Sequence, residues 1–263
     1  MWCPCLPRVD FRLIDAVSAS GWCCNMRAMA ETMYSRLISL GKGCDCAHQI
    51  RRFTGIETAF YFDWLVTPHS GLVRVLRLRF DGCFAKENLV VVEEGTTVCD
   101  SLTGVQYHHN FSRHADKKTI DPLAIEREYS RESAKMSFLA RRWFEAIQKE
   151  TILFVRRDTP SVQQALELYQ VLAEQMPDRA TSLLFVVPPE HELTIDHPGI
   201  FVEACPKPAD EAAWYGDDVA WNGVLGNYWH PRGPGERNPN LAGPRDPDQT
   251  VFAPPSRRGK DQG

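Results

Sequence analysis

The sequence predicts an α/β fold, with a mainly parallel sheet flanked by helices and some antiparallel strands. Two observations carry this. Leu37–Leu40 (LISL), Thr151–Val155 (TILFV) and Ser182–Val187 (SLLFVV) are short, nearly continuous apolar runs. Strands covered on both faces, as in parallel sheets, read this way. Between the later runs lie segments of helical periodicity, which supply the crossovers that parallel strands require. The stretch from 85 to 111 reads instead as antiparallel strands, with an apolar run at Leu89–Val92 and a more polar one at Val105–Phe111.

Each element has its own signal. Leu37–Leu40 runs into the turn Gly41-Lys42-Gly43. A helix is expected to follow, with Cys44, Ala47, Ile50 and Arg51 near one face. Ser70–Phe80 carries Leu72, Val75, Leu76 and Arg79 at helical spacing. Asp121-Pro122 opens a long helix, since Asp is a favoured N-cap and Pro fits the first helical position. Met136, Leu139, Trp143 and Ile147 give that helix an apolar stripe. Ser161 and Gln164 form a capping box. The helix they open is expected to bury Val162, Ala165, Leu166, Tyr169, Leu172, Ala173 and Met176, and to end at Pro177. Ile200–Glu203 is expected to be the last strand. Trp214, Trp221 and Leu225 are expected on a C-terminal helix or loop covering the sheet edge.

The expected organisation has three parts: a poorly ordered leader over 1–35, a single α/β domain over 36–229, and a disordered tail over 230–263. The leader has weak periodicity, and Met33 is a candidate start because patterning begins just after it. The tail holds seven prolines and five glycines in 34 residues, which leaves little apolar surface to offset ordering.

Composition removes several function classes. The balance of 34 acidic against 30 basic residues, net −4, gives no general attraction for nucleic acid or anionic membrane. No stretch approaches the roughly 20 apolar residues of a membrane helix, and a cytoplasmic location is expected. Nine cysteines, an odd number, do not suit a paired disulfide framework. No CxxC pair occurs, so structural zinc and other cofactors are not expected. Cys44, Cys46, His48, His108, His109 and His114 hold ligand atoms without a metal-site spacing.

The segment richest in chemistry is Leu37–Pro68. Cys44 follows a strand-to-helix turn with two glycines and starts a helix, where the dipole favours a thiolate. The N–H groups of residues 44 and 45 at such a terminus can receive an oxyanion, with Gly41 and Gly43 giving access and Asp45 and Trp64 beside the site. A base must reach the sulfur, and His109 is the candidate. If His108 and His109 alternate across a strand, one of them alone faces the cleft. Asp63, Asn110 and Asp158 are the alternatives for a third, orienting member. Asp63 also has a structural reading, as a turn cap through its carboxylate. A competing reading uses the glycine turn for phosphate, with Arg51, Arg52, Arg156 and Arg157 as anion contacts.

The same segment carries a resemblance. Ser39, Leu40, Gly41 and Cys44, then Ala47, Arg51 and Arg52, Gly55, and finally Phe62-Asp63-Trp64 resemble a family of bacterial and viral papain-like cysteine peptidases. Its pattern opens on Ser-Leu-Gly-x-x-Cys and closes on Pro-Phe-Asp-Trp; Tyr61 stands where that proline is usual. Gly104–Phe111 is similar to the family's Gly-Ile-x-Phe-x-His-Asp-Phe, which aligns His109 with its histidine and puts Asn110 in place of Asp. Ile152–Arg156 is a looser match. The resemblance implies a thiol hydrolase acting on a peptide or acyl substrate, and a papain-like α+β fold as the alternative architecture. The competing functions are a transferase acting on an activated sugar or lipid-linked precursor in surface polysaccharide synthesis, and a binding module in which Cys44 only packs.

Overall fold

The computed structural model describes residues 34–208 and 214–229. The expected leader, apart from Tyr34 and Ser35, and the expected tail lie outside these residues. The elements run β1 (Arg36–Ser39), α1 (Cys44–Thr54), α2 (His69–Arg77), β2 (Leu89–Val92), β3 (Thr97–Asp100), β4 (Gln106–Tyr107), α3 (Pro122–Lys149), β5 (Ile152–Arg157), α4 (Val162–Gln175), β6 (Ser182–Val187), β7 (Ile200–Ala204) and α5 (Asp218–Gly226).

The main sheet is parallel throughout, in the order β1-β5-β6-β7. Its apolar runs are continuous because both faces are covered. Ile38, Phe154, Leu183 and Phe185 point into a core shared with Leu72, Val75 and Leu76 of α2, Met136 and Trp143 of α3, and Leu168 and Leu172 of α4. Leu37, Leu153, Val155, Leu184 and Val186 point the other way, onto Cys46, Ile50 and Phe53 of α1 and Trp221, Val224 and Leu225 of α5. The chain leaving β1 thus turns to one face and the chain leaving β5 to the other. This reversal between neighbouring strands is a topological switch point, the place where α/β sheets hold ligands.

The helix starts follow their sequence signals. The Asp121 carboxylate accepts from the Leu123 N–H at 2.9 Å, and both halves of the Ser161–Gln164 capping box are made. The expected stripe Met136, Leu139, Trp143 and Ile147 is buried. Around α4 the buried face is rotated from the expected one. Ala165, Leu168, Val171 and Leu172 are inside, whereas Val162 and Leu166 are exposed. The sheet lies against Leu168 and Val171, which the expected stripe omitted.

Three further expectations change. The strand over Val105–Phe111 shrinks to Gln106–Tyr107. It pairs with β3, an unforeseen polar strand that also pairs with β2 in a small antiparallel sheet. Residues 108–111 bend away instead of continuing the ladder. The aromatic C-terminal helix covers a face of the sheet and not its edge: Trp221 and Leu225 are fully buried in the second core. Finally, the face of α1 that packs is Cys46, Ala47, Ile50 and Phe53, so Cys44 lies off it.

One buried charge ties the carboxyl ends together. Arg156 is fully buried. Its Nη1 donates to the Leu40 carbonyl and to Thr67 Oγ1, each at 3.0 Å, and its Nη2 to the Thr67 carbonyl at 2.8 Å. Its Nε donates to Asp158 at 2.9 Å. Removing one partner of a buried pair costs about 3–5 kcal/mol, because the other charge is left uncompensated. Arg156→Met is therefore expected to lose stability of that order in urea unfolding. Arg156→Lys should remain destabilised, since an ammonium lacks the planar fork. A wild-type midpoint for Arg156→Met would contradict this role.

Candidate functional site

The site grows from the turn after β1. Leu40 N–H bonds the Val155 carbonyl at 2.9 Å, which carries the pairing one residue past the strand. Gly41 then takes φ +73°, and a Cβ there would lie 2.6 Å from Thr67 Oγ1 and 3.1 Å from the Leu65 carbonyl. Both the backbone conformation and the space require glycine. Lys42 follows at φ 82°, its N–H held by Thr67 Oγ1 at 2.9 Å. Gly43 is extended, and no side chain caps the helix it starts. A Cβ on Gly43 would stand 3.0 Å from Asp45 Oδ1, crowding the terminus. Cys44 is thus the first residue of a helix whose leading N–H groups have no side-chain cap.

Cys44 Sγ lies 3.7 Å from His109 Nε2. The two residues are 65 positions apart, and the fold brings together the end of β1 and the segment after β4. His108 turns the other way, with Nδ1 at 2.5 Å from Thr97 Oγ1. The histidines therefore separate as expected, although at a bend and not along a strand.

The His109 segment is anchored on both sides. Asn110 Nδ2 donates to Glu132 Oε2 at 3.1 Å, and Arg113 Nη2 donates to the His108 carbonyl at 2.8 Å. Tyr107 and Phe111 both pack on Phe84. Glu132, on α3, is buried and also takes Arg131 Nε at 2.9 Å and Lys135 Nζ at 2.5 Å. Sequence reasoning missed Glu132. Its signal was weak, since a lone acid on a charged helix reads as solvated surface.

The three candidates for orienting His109 bond elsewhere. Asp63 accepts from Arg51 Nη2 at 2.7 Å and from the Phe60 N–H at 3.0 Å, and the Asp63 N–H returns to the Phe60 carbonyl at 3.2 Å. Asp63 thus closes its own turn, the structural part of its reading, and anchors Arg51. Asp158 serves Arg156 and Lys42. Asn110 serves Glu132.

The anion-site arginines are likewise engaged. Arg51 pairs with Asp63 and sits 5.3 Å from the Trp64 ring centroid. Arg52 donates to Gln49, Asn222 and the Asp218 carbonyl. Arg157 pairs with Asp45 at 2.6 Å, and Arg156 is buried. All four are thus engaged with protein groups, although Arg51 keeps a buried Nε without a hydrogen-bond partner. Among the described residues no three His, Cys, Asp or Glu side chains converge as metal ligands. Cys46 is a core residue with Sγ 3.6 Å from the Val155 carbonyl.

Electrostatics correct one expectation. Burial, and next the Asp45 carboxylate, push the Cys44 thiol up to about 11. Loss of water around the His109 ring, then the nearby charges of His108, Arg113 and Lys135, hold the imidazole below its usual 6.5. Near neutral pH the pair is thiol and neutral imidazole, not thiolate and imidazolium. Desolvation and Asp45 both act against the thiolate that the helix terminus favours.

A model of the family described as "putative papain-like cysteine peptidase" matches residues 35–187. No curated protein and no solved structure matches the chain.

Alkylation of Cys44 by iodoacetamide, followed site by site with mass spectrometry, should therefore rise with pH well past the ordinary thiol range near 8.5. Asp45→Asn should bring the midpoint down. A wild-type midpoint below 7 would contradict the neutral pair.

Proposed function

The chain belongs to that family, and from this premise we propose that it is a thiol hydrolase, cleaving a peptide or related acyl substrate through Cys44 and His109. The observation that carries the reading is the 3.7 Å approach of sulfur to imidazole at an uncapped helix N-terminus.

The chemistry runs by general base catalysis. As Cys44 Sγ bonds the substrate's carbonyl carbon, His109 Nε2 takes the thiol proton. The carbonyl oxygen becomes an oxyanion and receives the N–H groups of residues 44 and 45, which the positive end of α1 favours. Gly43 leaves that approach open. The intermediate collapses, the carbon–nitrogen bond breaks, and His109 returns its proton to the leaving amine. A thioester remains on Cys44. Water then attacks it, with His109 again taking a proton and passing it to the sulfur. A carboxylic acid leaves and the thiol is restored.

The other residues hold this geometry. Gly41 and Thr67 shape the turn, Arg157 holds the Asp45 carboxylate at 2.6 Å, and Asp63 positions Arg51. Asp63 is a positioning residue in this reading, since its bonds run to Arg51 and Phe60. Because the pair starts neutral, the proton moves as the carbonyl is attacked and not beforehand.

Rapid quench with an activated acyl ester such as p-nitrophenyl acetate should trap an acetyl group on Cys44 in the intact-mass spectrum. Cys44→Ala should abolish turnover. His109→Ala should slow acylation on the order of 10²–10⁴-fold, the usual worth of a positioned base. The sign of the pH dependence follows from His109. Its pKa lies below 6.5 and the base form is the active one, so the rate should fall as pH drops through that value. Wild-type turnover by Cys44→Ala would overturn the proposal.

A further inference from the structure

Cys44, His48 and Arg51 stand at i, i+4 and i+7 on α1, which places them along one ridge of the helix. Aromatic rings gather along that ridge. The His48 ring lies 5.3 Å from Trp214 and 5.7 Å from Tyr215. The Arg51 guanidinium lies 5.3 Å from the Trp64 centroid, and an edge contact of 6.3 Å joins Trp64 to Trp214. Three separate parts of the chain thus build one wall that starts a helical turn from the nucleophile.

Two features mark this wall as more than packing. Trp64 holds φ 65°, a conformation that costs a bulky residue of order 1–3 kcal/mol and persists only where its surroundings enforce it. The Asp63–Arg51 pair lies directly beside it, with the guanidinium against the Trp64 ring. Trp214, in contrast, leaves 46% of its surface in water at the end of that wall. The wall also carries little net charge. Arg51 is matched by Asp63 at 2.7 Å, and burial favours the neutral form of His48.

Resting on the reading of Cys44 as nucleophile, we propose that the Trp64–Trp214–His48 wall is a specificity subsite for an aromatic or large apolar side chain flanking the attacked carbonyl. The edges and faces of the rings suit an aromatic partner.

The test measures alkylation of Cys44 in the full chain by two chloromethyl ketones, one phenylalanyl and one alanyl, with iodoacetamide as the side-chain-free reference. The phenylalanyl probe should react faster than the alanyl probe by on the order of tenfold, in keeping with a face-to-edge ring contact plus apolar burial. Trp214→Ala should bring the ratio close to one, Trp214→Phe should retain most of it, and the iodoacetamide rate should stay unchanged in both. An unchanged ratio in Trp214→Ala, equal wild-type rates, or no reaction with either ketone would overturn the subsite. Failure of the underlying chemistry reads differently: His109→Ala would leave both ketone rates at wild-type values while the ratio persisted.

Discussion

A single buried guanidinium organises the carboxyl end of the sheet. Arg156 reaches back from β5 to the last carbonyl of the β1 run, across to Thr67, and forward to Asp158. An isolated charge in such a place would be costly, so each of these bonds is needed to hold it. Thr67 passes the constraint on: its hydroxyl donates to the Leu40 carbonyl at 2.8 Å and accepts the Lys42 N–H at 2.9 Å. Only a glycine at 41 lets that hydroxyl come so close. The path of residues 40–43, and with it the direction of α1 and the position of the Cys44 sulfur, descends from this one arginine.

The turn after the first strand of the parallel sheet carries Cys44, and the segment after β4 of the small sheet brings His109 to it. His109 arrives on a segment that belongs to neither ladder, clamped by Asn110–Glu132 on one side and by Arg113 on the other. The arrangement is not the papain-like α+β fold held as the alternative, because the scaffold under Cys44 is a sheet of parallel strands. A thiol–imidazole pair needs only a turn, a helix terminus and an approaching histidine, and different scaffolds can provide these.

Much of this was legible in the sequence because it is local. The apolar runs at 37, 152 and 182, the cap at Asp121 and the box at Ser161–Gln164 need only neighbouring residues to be read. The glycine turn before Cys44, and a histidine far along the chain as its partner, were also within reach. What sequence missed depends on tertiary contacts. β3 is polar on paper and buried only by its pairing. The inward face of α4 is chosen by the sheet beneath it. Arg156 reads as a strand-end charge, and Glu132 as helix surface, until their partners are seen. The upward push on the thiol was hidden for the same kind of reason: the helix terminus is visible in sequence, whereas the loss of water around Cys44 is not.

The central claim is that Cys44 and His109 meet as a neutral pair. Ring ¹⁵N chemical shifts of His109, followed by NMR from pH 4 to 9 in the unmodified protein and in Cys44→Ala, test it most directly. The account predicts a mainly neutral imidazole at pH 7 in both proteins, with a protonation midpoint below the usual 6.5. An imidazolium at pH 7 that becomes neutral when Cys44 is removed would reveal a preformed thiolate–imidazolium pair and contradict the account.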